Sequence, residues 1–513
     1  MKKIIIFLIS ILLLAGCNNS SEDDSYKKLF LQNTMSEKNR YDKTIPDIVP
    51  VYDKTIPDIV PVYNKECHTE LNDESEKKWL ILMYLAGDSD SIEKDLLGNM
   101  VSVSIGMSHS NADIKTIALY DRHSDLTEKP NYIIIDSGTH IFDIKPNYSC
   151  TEQFIADYCK TDVPPDWLHV DSTGKTEADT GSYMTMGKFI KWAEETYNPD
   201  NERTTIFIVG SHGFGTTGTV SSRTFCPDFN SRNIIHTNEI PKAFDYAGIT
   251  SENKFEAVIY DVCLCGTLEE AYEIRNYAKS FICSSNETPK AGFPYEKIIA
   301  NICKNTTICE IGTNFVNCFA NDYKTLSYKK RPATISFIDL SKIKDIAETT
   351  TALSNELQKL HDVSFIRSNK YLKNEGYESK NNVNYECSYI DITATSVNSA
   401  KFYSYDLGFF ADKLYDYADK NYAVENGLIN VSEYCTTLKN QLSQAVVCSW
   451  RGNNNKTENG SYPEFNNSSN YYGLTITGDA ENSKNPYYLT TFAFNTDTTW
   501  KDLLAKLYPE QFK

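Results

Sequence analysis

Only one stretch of this 513-residue chain is apolar enough to engage a bilayer, and it lies at the very start. Beyond Leu14 no run is both long and apolar enough to span a membrane, which excludes a multi-span membrane protein. Basic charge is also short, because 51 Lys and Arg stand against 69 Asp and Glu, a net of −18. That balance argues against a general nucleic-acid surface and mildly favours cationic partners or substrates. Zinc spacing is missing too: Cys263-Leu264-Cys265 offers two ligands, but no partner Cys or His pair has the separation a zinc site needs. No loop has the EF-hand pattern, so no metal ligands can be named. What is present, 41% hydrophobic and 23% charged residues, is ordinary globular composition. The length is roughly three usual domains, so one large domain with additions, or two domains, is expected.

The opening residues carry an export signal. Lys2 and Lys3 precede the apolar run Ile4–Leu14, which ends in Leu14-Ala15-Gly16-Cys17. This box resembles the bacterial lipobox, in which the Cys is lipidated and becomes the mature N-terminus; a plain signal peptide that happens to contain a Cys is the alternative. The lipobox reading predicts a lipid anchor at Cys17, location in the cell envelope on a bacterial membrane, and a body outside the cytoplasm. Fourteen cysteines less Cys17 leave an odd number, so one thiol is expected to stay free, and spacing alone fixes no disulfide pairing.

Residues 1–17 are therefore read as signal and lipobox, and 18–76 as a polar tether. Within the tether Tyr-Asp-Lys-Thr-Ile-Pro-Asp-Ile-Val-Pro-Val runs from Tyr41 to Val51 and again, unchanged, from Tyr52 to Val62. Two prolines per unit disfavour helix. From Trp79 short apolar strands alternate with amphipathic stretches, the signature of a mostly parallel α/β sheet covered by helices on both faces. Strands are expected at Trp79–Leu85, Ile114–Tyr120, Thr204–Val209, Phe255–Tyr260, Phe281–Ser284 and Ala333–Ile338. Helices are expected at Ser91–Ile105, Met184–Tyr197, Thr267–Ala278, Ile308–Asp322 and Ser341–Leu360. Residues 77–344 form this α/β body, and 345–513 a C-terminal extension with a helix near Leu407–Tyr417 and a β-like portion at Tyr471–Phe494.

Two strand ends carry chemistry, because loops at the carboxyl ends of parallel strands converge on one crevice. Thr204–Val209 runs into Gly210-Ser211-His212-Gly213-Phe214-Gly215, a His bracketed by glycines. Ala257–Tyr260 runs into Asp261-Val262-Cys263-Leu264-Cys265-Gly266-Thr267, a thiol ahead of a helix whose positive end favours the attacking thiolate. A His at the adjacent strand end can hold that sulfur deprotonated and later protonate a leaving amine. Either residue alone is as well read as a turn histidine or a small core thiol.

These residues resemble the clostripain-like cysteine peptidases, a family with the caspase-like fold. Leu82-Met83-Tyr84-Leu85-Ala86-Gly87-Asp88 is similar to that family's first strand. Ser211-His212-Gly213-Phe214-Gly215 is similar to its catalytic His motif, and Asp261-Val262-Cys263-Leu264 to its nucleophile segment. Ser284-Ser285-Asn286-Glu287-Thr288-Pro289-Lys290-Ala291-Gly292-Phe293-Pro294-Tyr295, Tyr472-Gly473-Leu474-Thr475-Ile476 and Thr499-Trp500-Lys501-Asp502-Leu503-Leu504 also fit. Cys265 stands where the family usually has Met, and Phe293 where Trp is usual.

The resemblance implies a caspase-like α/β/α sandwich over 77–344 and a cysteine endopeptidase cutting peptide or protein substrates after Arg or Lys. Its dyad would be His212 and Cys263, and the backbone amides of Gly213 and Cys263 would hold the oxyanion. Asp261 would line the specificity pocket and pair with the substrate cation. Self-cleavage in the loop Phe214–Ile235, after Arg223 or Arg232, is a further expectation. No cofactor is needed for the chemistry; calcium stays open, as do a non-catalytic surface binding lipoprotein on the same scaffold and a caspase-like peptidase of other specificity.

Overall fold

The computed structural model describes residues 71–88, 92–123, 134–169, 172, 175–215, 224–286, 288–289, 291–325, 333–359, 378–379, 382–383, 390–393, 401–421, 429–451, 472–481 and 493–512. Cys17, the tandem repeat and Arg223 lie outside them.

The centre is an eight-stranded sheet in the order β15-β10-β9-β8-β4-β1-β2-β3. Its strands are β1 (Lys78–Gly87), β2 (Asp113–Arg122), β3 (Gly138–Ile144), β4 (Arg203–Gly210), β8 (Phe255–Asp261), β9 (Ala278–Cys283), β10 (Thr334–Asp339) and β15 (Val446–Arg451). Three short strands, β5 (Gly213–Gly215), β6 (Thr224–Asp228) and β7 (Asn233–His236), form a separate antiparallel sheet. β11 (Glu378–Ser379) pairs with β12 (Asn382–Val383), while β13 (Ile390–Thr393), β14 (Lys401–Asp406) and β16 (Thr475–Glu481) make a third small sheet.

The five inner strands β9, β8, β4, β1 and β2 are parallel, and the flanking β3, β10 and β15 are antiparallel to their neighbours. Strand alternation splits the apolar residues between two cores, as a sheet buried on both sides requires. Leu80, Leu82 and Tyr84 of β1 join helices Tyr183–Tyr197, Ile240–Ala247, Leu268–Ile274 and Ile343–Lys359 on one face. Trp79, Ile81 and Met83 join helices Glu93–His109, Tyr295–Ala300 and Ile308–Thr325 on the other. The result is an α/β/α sandwich with a mostly parallel sheet.

The expected central strands are all present, with ends shifted by a few residues. The helix read at Thr267–Ala278 is shorter: it spans Leu268–Ile274, then turns through the bond from Tyr277 N to Ile274 O (2.9 Å) so that Ala278 can open β9 opposite Phe255. The β-like portion Tyr471–Phe494 is strand only over Thr475–Glu481, and Phe494 lies in a short helix, Ala493–Asp497.

The chain after residue 344 is built onto the same core. Helix Ile343–Lys359 crosses the 344/345 division, and β15 extends the central sheet beside β10. Trp500, Leu503, Leu504 and Leu507 of helix Trp500–Leu507 are buried in the first core. Thr475 donates from N (3.2 Å) and Oγ1 (3.0 Å) to Gly266 O, so β16 holds the turn that follows Cys263. Cys309 is disulfide-bonded, while the other described cysteines form no disulfide.

Candidate active site

β4 and β8 are neighbouring parallel strands in register, with Gly210 opposite Asp261, so the residues after each strand leave the sheet side by side. Ser211 anchors one exit, donating Oγ to Ala86 O (2.7 Å) and N to Asp261 O (3.4 Å). His212 follows and is almost wholly buried. Its carbonyl accepts Cys226 N (3.2 Å), and Gly213 pairs with Phe225, so β6 backs the histidine.

At Gly213 the two motifs meet backbone on backbone. A Cβ built on Gly213 would lie 2.2 Å from Cys263 O and 2.9 Å from Cys263 N, so only glycine lets the His segment touch the Cys segment. Beyond Cys263 the chain turns sharply, with Leu264 in the left-handed region at φ 68°, a rare and strained conformation for a branched side chain. The turn is held from outside by Leu264 N to Asn286 O (2.9 Å) and Gly266 N to Ser284 O (2.8 Å).

The Cys263 sulfur is half-buried and faces Thr288: Thr288 N donates to Sγ (3.3 Å), and Thr288 O lies 3.7 Å from it. Residues 264–267 separate Cys263 from helix Leu268–Ile274, whose first turn carries Glu269 and Glu270. The Oε1 atoms of these carboxylates accept Thr477 N (2.9 Å) and Thr237 Oγ1, and Thr267 Oγ1 caps the helix by accepting Glu270 N (3.3 Å). Cys265 points elsewhere; it is 1% exposed, and its Sγ bonds Cys263 O (3.3 Å).

Asp261 ends β8 and is buried. Its Oδ2 accepts Tyr295 Oη (2.9 Å), Phe293 N (3.3 Å) and Asn99 Nδ2 (3.4 Å). Burial pushes its carboxyl up to about 7, against the pull of the Tyr295 and Phe293 bonds. Gly292, at φ 68°, makes room, since a Cβ there would sit 2.3 Å from Oδ2. Arg232 is exposed in the turn between β6 and β7 at φ 56°. Sequence marks Thr288, Gly292 and Tyr295 only as parts of a family-like segment, and no local pattern marks Asn99.

A second polar centre lies at the ends of β1 and β2. Asp88, Asp121, Glu177 and Asp228 each bring one carboxylate oxygen within 4.8 Å of the others, a donor set suited to a metal ion. Burial raises all four carboxyls, Asp121 well above its usual range and Asp228 up to about 6.

A sharp turn carrying a thiol, next to a strand end carrying a histidine, on a caspase-like α/β/α sandwich, defines a cysteine-peptidase scaffold. Residues 83–506 match the model of the Clostripain family, and the chain belongs to that family of cysteine peptidases. Residues 1–18 match a prokaryotic membrane lipoprotein lipid attachment site. Clostripain of Hathewaya histolytica is 23% identical over 249 residues, 46% of this chain and 44% of that protein, so the match spans less than half of this curated relative. Among solved structures, a secreted C11 cysteine protease from Bacteroides thetaiotaomicron in complex with an irreversible peptide inhibitor aligns with a TM-score of 0.51 at 16% identity, over 83% of this chain and 99% of that one. An inactive zymogen C11 protease from Parabacteroides distasonis aligns with a TM-score of 0.50 at 16% identity, over 86% and 99%.

Proposed function

We propose that the chain is a lipid-anchored extracytoplasmic endopeptidase that cuts peptide bonds after Arg or Lys, with Cys263 as nucleophile and His212 as base. The observation that carries this reading is the contact of Gly213 with the Cys263 backbone, which makes one site of two motifs far apart in sequence.

His212 takes the thiol proton, and the Cys263 sulfur attacks the carbonyl carbon. Negative charge gathers on the carbonyl oxygen, where the amides of Gly213 and Cys263 are the donors in this reading. His212 then protonates the leaving amine as the C–N bond breaks. Water, deprotonated by His212, attacks the thioester and frees the acid and the thiol. Asp261 receives the substrate cation, and Cys17 carries the lipid that holds the enzyme on the membrane.

The test is hydrolysis of paired fluorogenic peptides ending in Arg, Lys, Asn or Asp. Cys263→Ala should abolish cleavage after Arg and Lys, whereas Cys265→Ala, which empties a small buried position, should leave it. Loss with Cys265→Ala alone would move the nucleophile, and no turnover of any peptide would leave a binding protein.

The Thr288 amide supplies a second check. Thr288→Pro deletes the N–H that meets the sulfur, so the pH profile for alkylation of Cys263 should move up by about one unit, the worth of one hydrogen bond to a charged group. Thr288→Ala keeps the amide and should leave the profile in place. Equal profiles for both variants would remove Thr288 from the account.

Self-cleavage is expected after Arg223 rather than Arg232. Peptides enter protease sites extended, whereas Arg232 sits in a closed turn in which Asp228 Oδ1 accepts Ser231 N (2.6 Å). Intact mass should show a cut that Arg223→Ala prevents and Arg232→Ala does not; an unbroken active chain would refute it.

A further inference from the structure

We infer that Thr334, the first residue of β10, is a positioning residue for the thiol: its hydroxyl fixes the chain leaving β9, which in turn fixes the Cys263 turn. The inference rests on the reading of Cys263 as nucleophile and deepens it.

The sheet register puts Thr334 in place. β9 and β10 run antiparallel with Ser336 opposite Cys283, and their pairing ends there. Two residues further on, Ser285 comes level with Thr334, and a side chain takes over from the backbone. Thr334 Oγ1 accepts Ser285 N (2.9 Å) and Asn286 N (3.1 Å). Successive amides converge on one oxygen only where the chain turns, so this hydroxyl marks the point at which β9 bends out of the sheet. On its other side Thr334 pairs with Arg451 of β15, so the anchor belongs to the rigid sheet.

The hydroxyl proton is used as well. Ser284 Oγ lies 3.1 Å from Thr334 Oγ1 and gives its own proton to Asn286 O (3.0 Å), which leaves Thr334 as the donor between the two hydroxyls. Thr334, Ser284, Ser285 and Asn286 are all buried, where a polar group deprived of its partner is costly.

The chain so held grips the nucleophile turn. Asn286 O accepts Leu264 N (2.9 Å) and Ser284 O accepts Gly266 N (2.8 Å), while Ser285 Oγ donates to Gly266 O (2.5 Å). Thr288 donates N to Cys263 Sγ (3.3 Å) and Oγ1 to Val262 O (3.1 Å). A Cβ on Gly266 would lie 2.6 Å from Ser285 N, so backbone touches backbone here too. Leu264, at φ 68°, holds a conformation that persists only where its surroundings impose it. Any shift of 284–286 is therefore passed to the sulfur.

Valine and serine separate the hydroxyl from the shape. Thr334→Val keeps the β-branched outline and deletes Oγ1, whereas Thr334→Ser keeps the oxygen and gives up a methyl. The experiment uses the full chain and adds Thr116→Val, which removes a buried hydroxyl from β2 away from the strand ends that carry the site. Iodoacetamide labelling of Cys263, resolved from the other thiols by peptide mass, is followed against pH, beside kcat and KM on Arg and Lys peptides. Thr334→Val should move the labelling profile up in pH, the direction expected of Thr288→Pro, and lower kcat about tenfold or more. Thr334→Ser should restore most of both. Thr116→Val should lower the melting temperature and leave profile and kcat in place.

A Thr334→Val enzyme equal to the parent, or Thr334→Ser as impaired as Thr334→Val, overturns the inference. Should Thr334→Val not fold, amide exchange in the parent decides: Ser285 and Asn286 should exchange as slowly as β9, and exchange at the rate of an open loop overturns it. The labelling needs no substrate. A parent that cuts no peptide, yet whose Cys263 profile depends on Thr334, sinks the peptidase reading alone; cleavage through Cys263 that is indifferent to Thr334→Val sinks the positioning alone.

Discussion

Gly213→Ala should lower kcat/KM on Arg and Lys peptides by about 10³-fold while leaving a folded protein. The added methyl would need the space of Cys263 O, 2.2 Å away, and both contacting groups are backbone, so no rotamer change relieves the clash. The His segment or the Cys turn must shift by an ångström or more, and a displacement of that size at reacting groups costs about 10²-fold. The same shift withdraws the Gly213 amide from the oxyanion, and loss of one such donor costs about 10²–10³-fold. The two losses overlap, because both follow from one movement. Retained circular dichroism with kcat/KM reduced less than tenfold would mean that the two motifs do not work as one site.

That contact explains why the site was legible. A parallel sheet places consecutive strand ends along one edge, so an apolar run ending in Ser-His-Gly and another ending in Asp-Val-Cys were bound to be neighbours once β4 and β8 paired. The inner strands were equally plain, being β-branched and buried on both faces. Weakly patterned elements were not. β3 is an antiparallel edge strand with its own polar positions, β5 and β7 are only a few residues long, and β15 joins the sheet more than a hundred residues after β10. Helix Leu268–Ile274 was read too long because the apolar pattern continues into β9 without a break. The donor to the sulfur was invisible for another reason: it is the main-chain N–H of Thr288, and any residue but proline would supply it. Asn99 and the four clustered carboxylates meet only through tertiary folding, across separations that no local pattern records.

Asp261→Asn should separate stability from function. In the free protein burial holds the Asp261 carboxyl up at about 7, above its ordinary value of 3.8. A carboxyl raised on folding adds stability below its unfolded value, and that contribution fades as pH rises through the folded one. Between about pH 4 and 7 the ionising carboxylate therefore works against the unliganded fold, on the order of a few kcal/mol by pH 8. Asparagine keeps an acceptor for Tyr295 and Phe293 without the charge, so the variant should melt higher than the parent at pH 8 and differ little at pH 4. Activity should move the other way. A substrate guanidinium or ammonium meets a carboxylate only above about pH 7, so kcat/KM for basic peptides should rise through that pH in the parent and lose that limb in the variant. Leaving a substrate cation without its partner in a buried pocket costs about 2–5 kcal/mol, roughly 30- to 4,000-fold in kcat/KM. A destabilised variant that kept its preference for Arg and Lys would make Asp261 a strand-end anchor and place the specificity acid elsewhere. A stabilised variant that lost the preference would identify an acid kept in the fold at a cost in stability, because the substrate supplies the missing charge.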